Sequence, residues 1–114
     1  MANRSPALDA TFHALSDATR RAVVSQLMRG PAAVTQLAEP FDMRLPSFMK
    51  HLKVLEDSGL IRSRKVGRVR MCQVRMDRLA KTQRWFDQQR ALWASRYDNL
   101  DTLLAKLAGE DDES

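Results

Sequence analysis

The sequence has few of the residues that cross-link a chain or bind a metal ion. Among 114 residues there are one cysteine, Cys72, and two histidines, His13 and His51. A single thiol cannot form a disulfide within the chain, and it is too few for a cysteine-rich zinc site. No nucleophile with a partnering base and no glycine-rich loop is recognisable, so neither an enzyme nor a bound cofactor or metal is expected.

Long apolar runs are also missing. No stretch approaches the roughly 18 consecutive apolar residues of a membrane-spanning helix. The first ten residues, MANRSPALDA, lack the apolar core of a signal peptide. We therefore expect a cytoplasmic protein without a membrane partner. The 44% of apolar residues and the length of the chain predict one domain with a modest core.

Positive charge is concentrated in the middle of the chain. Residues 44–84 hold 12 basic and 3 acidic side chains, a net charge of +9. The residues before this block are neutral overall, and those after it carry a net charge of −4. A solvated face is usually balanced by acidic residues, and this block is not. The charge distribution therefore predicts a protein that binds a polyanion.

The apolar residues recur at helical spacing in four short segments. Asp17 is a suitable N-cap for the second helix, and Gly30-Pro31 is a typical C-terminal stop for it. Pro40 has to lie near the end of the third helix, because its ring cannot continue the hydrogen-bond ladder. The predicted helices span residues 6–15, 18–29, 34–41 and 45–57.

The fourth helix leads into two strand-like runs, within residues 43–76. Phe48, Leu52 and Leu55 share one narrow arc of the helix, and the side chains opposite are mostly basic. Residues 60–65 and 68–76 alternate as strands do, around a Val66-Gly67 turn that calls for positive φ at the glycine. The pattern predicts a helix that reads DNA, followed by a β-hairpin that grips it.

The predicted contacts with double-stranded DNA lie at the start of this helix and along the hairpin. The N-terminal residues of a helix in the major groove reach base edges, and cations further along it meet phosphates. An arginine is the side chain best suited to guanine. For His51, packing at the helix edge is the alternative to a phosphate contact. The predicted DNA-binding residues are Arg44, Leu45, Pro46, Ser47, Lys50, His51, Lys53, Arg62, Arg64, Lys65, Arg68 and Arg70.

The last segment predicts a single long helix. No proline or glycine occurs from Asp77 to about Ala108, so the helix would have about 30 residues and a length of roughly 45 Å. Large apolar residues recur every seventh position, and others fill the intermediate heptad positions of the C-terminal half. So small a domain cannot cover this stripe, and part of it is expected to face a partner chain. The predicted domain ends at residue 108, followed by a disordered acidic tail, residues 109–114.

Several strings of the sequence resemble the ArsR-type family of bacterial winged-helix repressors. These are ALSDATRRAVVSQL (14–27), TQLAEPFDM (35–43), HLKVLEDSGLIRSRKVGR (51–68) and the strand that follows. The resemblance covers roughly residues 8–105. It implies a mainly α winged helix-turn-helix fold with a small β-hairpin wing, in the order α-α-α-α-β-β-α.

The resemblance also implies a homodimer, formed through the first and last helices, that binds a near-palindromic operator and usually represses transcription. The interface residues that it implies are Leu8, Phe12, Phe86, Trp93, Tyr97, Leu100 and Leu104. An effector pocket lined by the aromatic residues of the last helix is the alternative, but aromatic residues at heptad spacing are more often a core or dimer seam.

Two departures from the family pattern limit what the resemblance implies. Arg44 stands where a serine or threonine often caps the reading helix, and Leu45 stands where a polar residue is common, so the operator sequence does not carry over. Residues 32–39 contain no cysteine or histidine and residues 85–105 no histidine, so both ligand sets of the metal-sensing members are missing. An effector, if the protein has one, would be a small molecule or another protein.

A different class of function is a winged-helix module that binds another protein through the acidic and aromatic last helix. The basic wing discriminates between the two hypotheses, since a module that binds only proteins has no use for it. Cys72 is interpreted as a small buried apolar residue under the wing, because a free cysteine usually has that role.

Overall fold

The structure is a computed structural model that describes the backbone of residues 5–113 and the side chains of residues 5–109. Five helices and three strands follow one another in the order α1 (Pro6–Leu15), α2 (Ala18–Leu27), β1 (Ala32–Ala33), α3 (Val34–Ala38), α4 (Leu45–Asp57), β2 (Ile61–Val66), β3 (Val69–Val74) and α5 (Met76–Glu113). Apart from the additional strand β1, this order confirms the predicted fold class. The residues up to Thr82 form one compact unit and those from Gln83 onwards form a second.

The first two helices begin at side-chain caps. The Ser5 hydroxyl accepts a hydrogen bond from the amide of Leu8 (3.3 Å), and Pro6 occupies the first turn. The Asp17 carboxylate accepts a hydrogen bond from the amide of Arg20 (3.0 Å), so the predicted cap is confirmed. The second helix ends at Leu27, two residues earlier than predicted.

The third helix is also shorter than predicted, since it ends at Ala38 and not at Phe41. Pro40 has no amide to donate, and the Phe41 amide instead closes a tight turn on the carbonyl of Ala38 (3.0 Å). The fourth helix spans the predicted residues. This helix carries the residues predicted to read DNA.

The predicted hairpin is part of a three-stranded antiparallel sheet with the strand order β1-β3-β2. The first strand was not predicted, because two alanines show no alternation of polar and apolar residues. Val66 pairs with Val69, so the turn is Gly67-Arg68, one residue later than predicted. Gly67 has φ +67°, as the sequence led us to expect.

The core of the first unit lies between the helices and the inner face of the sheet. Phe48, Leu52 and Leu55 of α4 are buried, and this confirms the predicted inner face of the helix. The other large buried side chains come from four further segments of the same unit: Val23, Val24, Leu27, Leu37, Leu60, Ile61 and Cys72.

The last helix is longer than predicted and continues through Gly109 to Glu113. Gly109 has helical backbone; a glycine inside a helix costs about 1 kcal/mol but does not by itself end it. Asp77 lies within the first turn of the helix, where its negative charge suits the helix dipole. None of the helices within residues 5–113 has the length and apolar character needed to cross a membrane. The division into a domain and an acidic tail stays a prediction, and Ser114 lies outside the described residues.

Candidate nucleic-acid interface

The fourth helix separates a buried apolar face from an exposed polar one. Arg44, Leu45, Pro46 and Ser47 at its start are all exposed, and Leu45 is 56% exposed. A leucine so exposed at the start of an otherwise well-packed helix is available for an apolar contact with a ligand. Arg44 occupies the N-cap position, and its side chain makes no capping hydrogen bond. The amides of the first turn therefore remain available to an acceptor.

The basic side chains further along the helix are Lys50 and Lys53, and both are exposed. Lys53 lies 3.5 Å from Asp57, one turn further along, and both side chains are well solvated. Such a pair contributes little to stability and can open easily. Both lysines are therefore free to meet an anion.

His51 differs from its neighbours because it packs against the second helix. Its Nδ1 lies 3.1 Å from a guanidinium nitrogen of Arg20 and 3.7 Å from the Asp17 carboxylate. Arg20 is only 9% exposed, and it also donates hydrogen bonds to the carbonyls of Ala14 (2.7 Å) and His13 (3.2 Å). The geometry therefore agrees with packing, the alternative kept for His51 at the sequence level.

The buried Arg20 was not among the residues singled out from the sequence. Its spacing from Val23, Val24 and Leu27 places it on the buried side of the second helix, and this is the one sequence feature that points to it. The hydrogen bond from the Arg20 amide, followed by the positive charges of His51 and Arg20, lowers the pKa of Asp17 below 3.8, although partial burial opposes this shift.

The hairpin carries basic side chains of two kinds. Arg64, Lys65 and Arg68 are exposed, and no carboxylate of the described residues lies within ion-pair distance of them. Arg62 and Arg70 have partners within the hairpin and the fourth helix. With the side-chain amide of Gln73 oriented so that its oxygen faces Arg62, its partner across the strands, the Arg62 guanidinium donates two hydrogen bonds to that oxygen (2.7 and 2.9 Å).

Cys72 lies on the inner face of the sheet and is fully buried. Burial raises the pKa of its thiol, with a further contribution from the negative charge of Glu56. The interpretation of Cys72 as a small buried apolar residue is confirmed. Among the side chains described, those of residues 5–109, no three from histidine, cysteine or acidic residues are placed to hold a metal ion.

The second unit is a single helical segment whose large apolar side chains, with the exception of Trp85, are exposed. Trp93 is 58% exposed, and its ring meets that of Tyr97 edge to face, with the centroids 5.3 Å apart. The Arg96 guanidinium lies over the same tryptophan ring, 5.6 Å from its centroid. Leu100, Leu104 and Leu107 are also exposed. On α1, in the first unit, Leu8 is half-buried and Phe12 is exposed.

A helix with an exposed basic face, followed by a hairpin with an unpaired basic tip, defines a winged helix-turn-helix domain. The comparisons with known proteins agree with this class. A family described as a helix-turn-helix domain matches residues 15–64. The HTH-type transcriptional regulator Rv2034 of Mycobacterium tuberculosis is 42% identical over 71 residues, which are 62% of this chain and 64% of that protein. The match thus spans slightly less than two thirds of that relative.

Solved structures identify the family. The crystal structure of an ArsR family transcriptional regulator is 53% identical, with a TM-score of 0.73, and the match covers 76% of this chain and 96% of that one. The homodimeric winged helix-turn-helix DNA-binding domain Mb0332 of Mycobacterium bovis, 20% identical, has the same fold (TM-score 0.59, covering 87% of this chain and 95% of that one). The chain belongs to the ArsR family and is a transcriptional regulator with a helix-turn-helix DNA-binding domain, not an enzyme.

Proposed function

We propose that the protein is a homodimeric repressor that binds an inverted-repeat operator in double-stranded DNA and does not respond to metal ions. The observation that carries this proposal is the exposed basic face of the fourth helix together with the wing tip, whose Arg64, Lys65 and Arg68 have no carboxylate within ion-pair distance among the described residues. Cations without internal partners carry no cost of breaking an ion pair when they meet phosphates. The same region holds the net charge of +9 found in residues 44–84.

The start of the fourth helix is the part proposed to read bases. Arg44 suits guanine, because a guanidinium can donate two hydrogen bonds to O6 and N7 in the major groove. Leu45 suits the methyl group of thymine. Pro46 and Ser47 complete the exposed first turn. Lys50 and Lys53 are proposed to meet phosphates and to fix the register of the helix without reading sequence.

The wing is the proposed second contact with DNA. Arg64, Lys65 and Arg68 are exposed at and beside the hairpin turn, where they suit the adjacent minor groove or its phosphates. Arg62 shares this surface, although Gln73 holds its guanidinium. A protein that contacts two grooves gains both affinity and orientation on the duplex.

The dimer is proposed to form through the last helix, with the contribution of Leu8 and Phe12 of the first helix that the family resemblance implies. The support is the row of half-exposed Phe86, Trp93, Tyr97, Leu100 and Leu104 side chains. A contiguous apolar row of this kind marks a protein interface on a folded domain. The homodimeric Mycobacterium bovis domain is a precedent for such assembly on this fold. A two-fold dimer then calls for a two-fold operator.

The proposed lack of a metal response rests on the sequence. The third-helix region, residues 32–39, has no cysteine or histidine, and residues 85–105 have no histidine. Metal sensing needs soft or imidazole ligands at fixed positions, and neither segment has them. Zinc added to the operator complex is therefore expected to leave its affinity unchanged.

Selection on random duplexes tests the proposal. It should return a two-fold symmetric motif, bound more weakly as salt rises. Arg44→Ala should cost about 1–3 kcal/mol at one base pair of each half-site. Lys50→Ala should weaken binding to all DNA sequences alike. It should also lower the salt slope, the slope of the logarithm of the binding constant against the logarithm of the salt concentration, by the amount that about one phosphate contact contributes. Arg29→Ala, also exposed but outside the surface, is the matched control.

Two results would contradict the proposal. One is the absence of any symmetric motif. The other is a selected operator that both the Arg44 and the Lys50 variants bind as tightly as the unmodified protein does. A monomer in sedimentation that binds another protein and no duplex would favour the interaction module. In a reporter strain, deletion of the gene should raise expression from the selected operator if the protein represses.

A further inference from the structure

Glu56, Ser63 and Arg70 form a hydrogen-bonded network. It joins α4, the proposed recognition helix, to both strands of the wing, β2 and β3. The Ser63 hydroxyl donates to Oε1 of Glu56 (2.6 Å), and Nε of Arg70 donates to the Ser63 hydroxyl (2.9 Å). Nη2 of Arg70 lies 3.4 Å from both carboxylate oxygens of Glu56. The three residues belong to α4, β2 and β3.

The strand register places Arg70 on a different face of the wing from Arg62 and Arg64. Ser63 pairs with Cys72, whose side chain is buried beneath the sheet, and Lys65 pairs with Arg70. Because side chains alternate along a strand, Ser63 and Arg70 lie on the face turned towards the fourth helix. Arg62 and Arg64 lie on the opposite face.

Charge separates Arg70 from the wing tip as well. Its guanidinium faces a carboxylate that is only 26% exposed, so the pair adds little to the positive field of the wing. Arg64 and Arg68 have no such partner among the described residues. For Arg70 to bind a phosphate, it would have to leave Glu56 and Ser63.

We propose that Arg70 is a positioning residue that works through Ser63 and Glu56, and that it holds the wing at a fixed angle to the recognition helix without contacting DNA. The proposal rests on DNA binding by α4 and the wing, as proposed above. A half-exposed ion pair adds little to global stability. It can still favour the wing orientation in which helix and wing reach the duplex together, because less ordering then remains for binding.

Four variants of the full-length protein separate positioning from phosphate contact: Arg70→Gln, Glu56→Gln, the double variant, and Arg68→Gln as the control that removes an unpaired wing cation. Binding to the selected operator is measured over a series of salt concentrations. Positioning predicts that Arg70→Gln and Glu56→Gln each weaken binding about fivefold, and that the double variant is no weaker than either. The salt slope should stay unchanged in all three, whereas Arg68→Gln should lower it by about 0.9.

If Arg70 contacts a phosphate instead, Glu56→Gln should no longer weaken binding to the operator. Glu56→Gln would then remove a competing carboxylate and leave binding equal or tighter, and Arg70→Gln would lower the salt slope as Arg68→Gln does. Either result overturns the positioning role.

Amide hydrogen exchange in the free protein gives a readout that does not depend on DNA. Arg70→Gln and Glu56→Gln should speed exchange of the wing amides in β2 and β3, and Arg68→Gln should not. Equal exchange in all variants overturns the proposal. The unmodified protein could bind no duplex from the selection while the exchange rates still differ as expected. In that case the proposed function is wrong, but the proposal that Arg70 holds the wing against α4 is supported.

Discussion

The first unit and the last helix use apolar residues in different ways. Phe48 and Leu55 of α4 are completely buried within the chain. In residues 83–109, all side chains but that of Trp85 are exposed, and Trp93 and Leu104 expose more than half of their surface. Both helices have an apolar stripe in sequence. Only the stripe of α4 is covered, because α2 and the sheet pack against it.

This difference indicates where each region gains its stability. A fully buried large apolar side chain contributes about 1.5–3 kcal/mol to the free energy of unfolding, and in the first unit this burial takes place within a single chain. A lone helical segment has no second layer and cannot do so. Its heptad spacing suits packing against another helix, so its apolar residues are expected to stabilise the assembly and not the fold of the chain.

The largest effect is expected from charges placed on the exposed stripe. Trp93→Glu with Leu100→Glu should convert the proposed dimer to a monomer, since a two-fold interface loses four apolar contacts and gains four charges. At about 1.5–3 kcal/mol for each buried side chain, the dimer dissociation constant should rise more than about 1000-fold. Sedimentation velocity over a dilution series measures it, and operator affinity should fall with the dimer.

The same helix supplies a matched control. Ser95→Glu with Thr102→Glu adds the same charges about 200° around the helix, where the residues are exposed and polar. This pair should leave the dimer intact. A dimer that survives the Trp93 and Leu100 substitutions, or that both pairs disrupt equally, would place the interface elsewhere.

The second prediction compares buried and exposed residues within the fourth helix. Phe48→Ala should lower the free energy of unfolding by about 3–5 kcal/mol, because it removes a buried ring and leaves a cavity. Leu45→Ala, three residues earlier but exposed, should change it by less than about 0.5 kcal/mol. Urea denaturation at one fixed protein concentration measures both.

For operator affinity, measured on molecules that remain folded, Leu45→Ala should have the larger effect and Phe48→Ala the smaller one. Leu45→Ala should weaken binding to the selected operator, since its side chain is proposed to contact a base. If the two substitutions shifted the urea midpoint equally, the division of the helix into an inner and an outer face would be wrong.

The sequence predicted best the features that depend on periodicity and local chain chemistry. The inner face of the fourth helix follows from residues three and four apart, and Gly67 at the hairpin follows from its tolerance of positive φ. The two-residue strand at Ala32 was beyond this reasoning, because only its pairing with Met71 and Cys72 makes it a strand.

Side-chain partners from distant segments could not be predicted in the same way. His51 meets Arg20, 31 residues earlier, and Arg70 meets Glu56, 14 residues earlier. Both were predicted among the basic residues suited to DNA, with packing as the alternative for His51 alone, because composition and spacing show a charge but not the group that it faces. The candidate site was thus predictable as a surface, whereas the roles of its individual cations required tertiary structure.

The smallest effect is expected from two aspartates, one in each region, whose pKa values are both lowered. Asp17 accepts a backbone hydrogen bond at the start of a packed helix. Asp87 lies on the exposed segment, where hydrogen bonds from the side chains of Arg90 and then Gln83 lower its pKa. Asp17→Ala should cost about 1 kcal/mol as a lost N-cap, and Asp17→Asn less. Asp87→Ala should leave the free energy of unfolding nearly unchanged, because solvated pairs contribute little.

The pH dependence separates the two aspartates further. Because the pKa of Asp17 is lower in the folded chain than the ordinary 3.8, folding favours its ionised form. The contribution of this charge is complete well above pH 3.8 and is lost as the pH falls through 3.8 towards the folded-state pKa. Urea midpoints of the unmodified protein and Asp17→Ala should therefore differ at neutral pH and converge in acid. Asp87→Ala should stay close to the unmodified protein at every pH, because the partners that lower the pKa of Asp87 are solvated and contribute little to stability. A difference for Asp17→Ala that persists unchanged in acid would show that the cap acts through its shape and not through its charge.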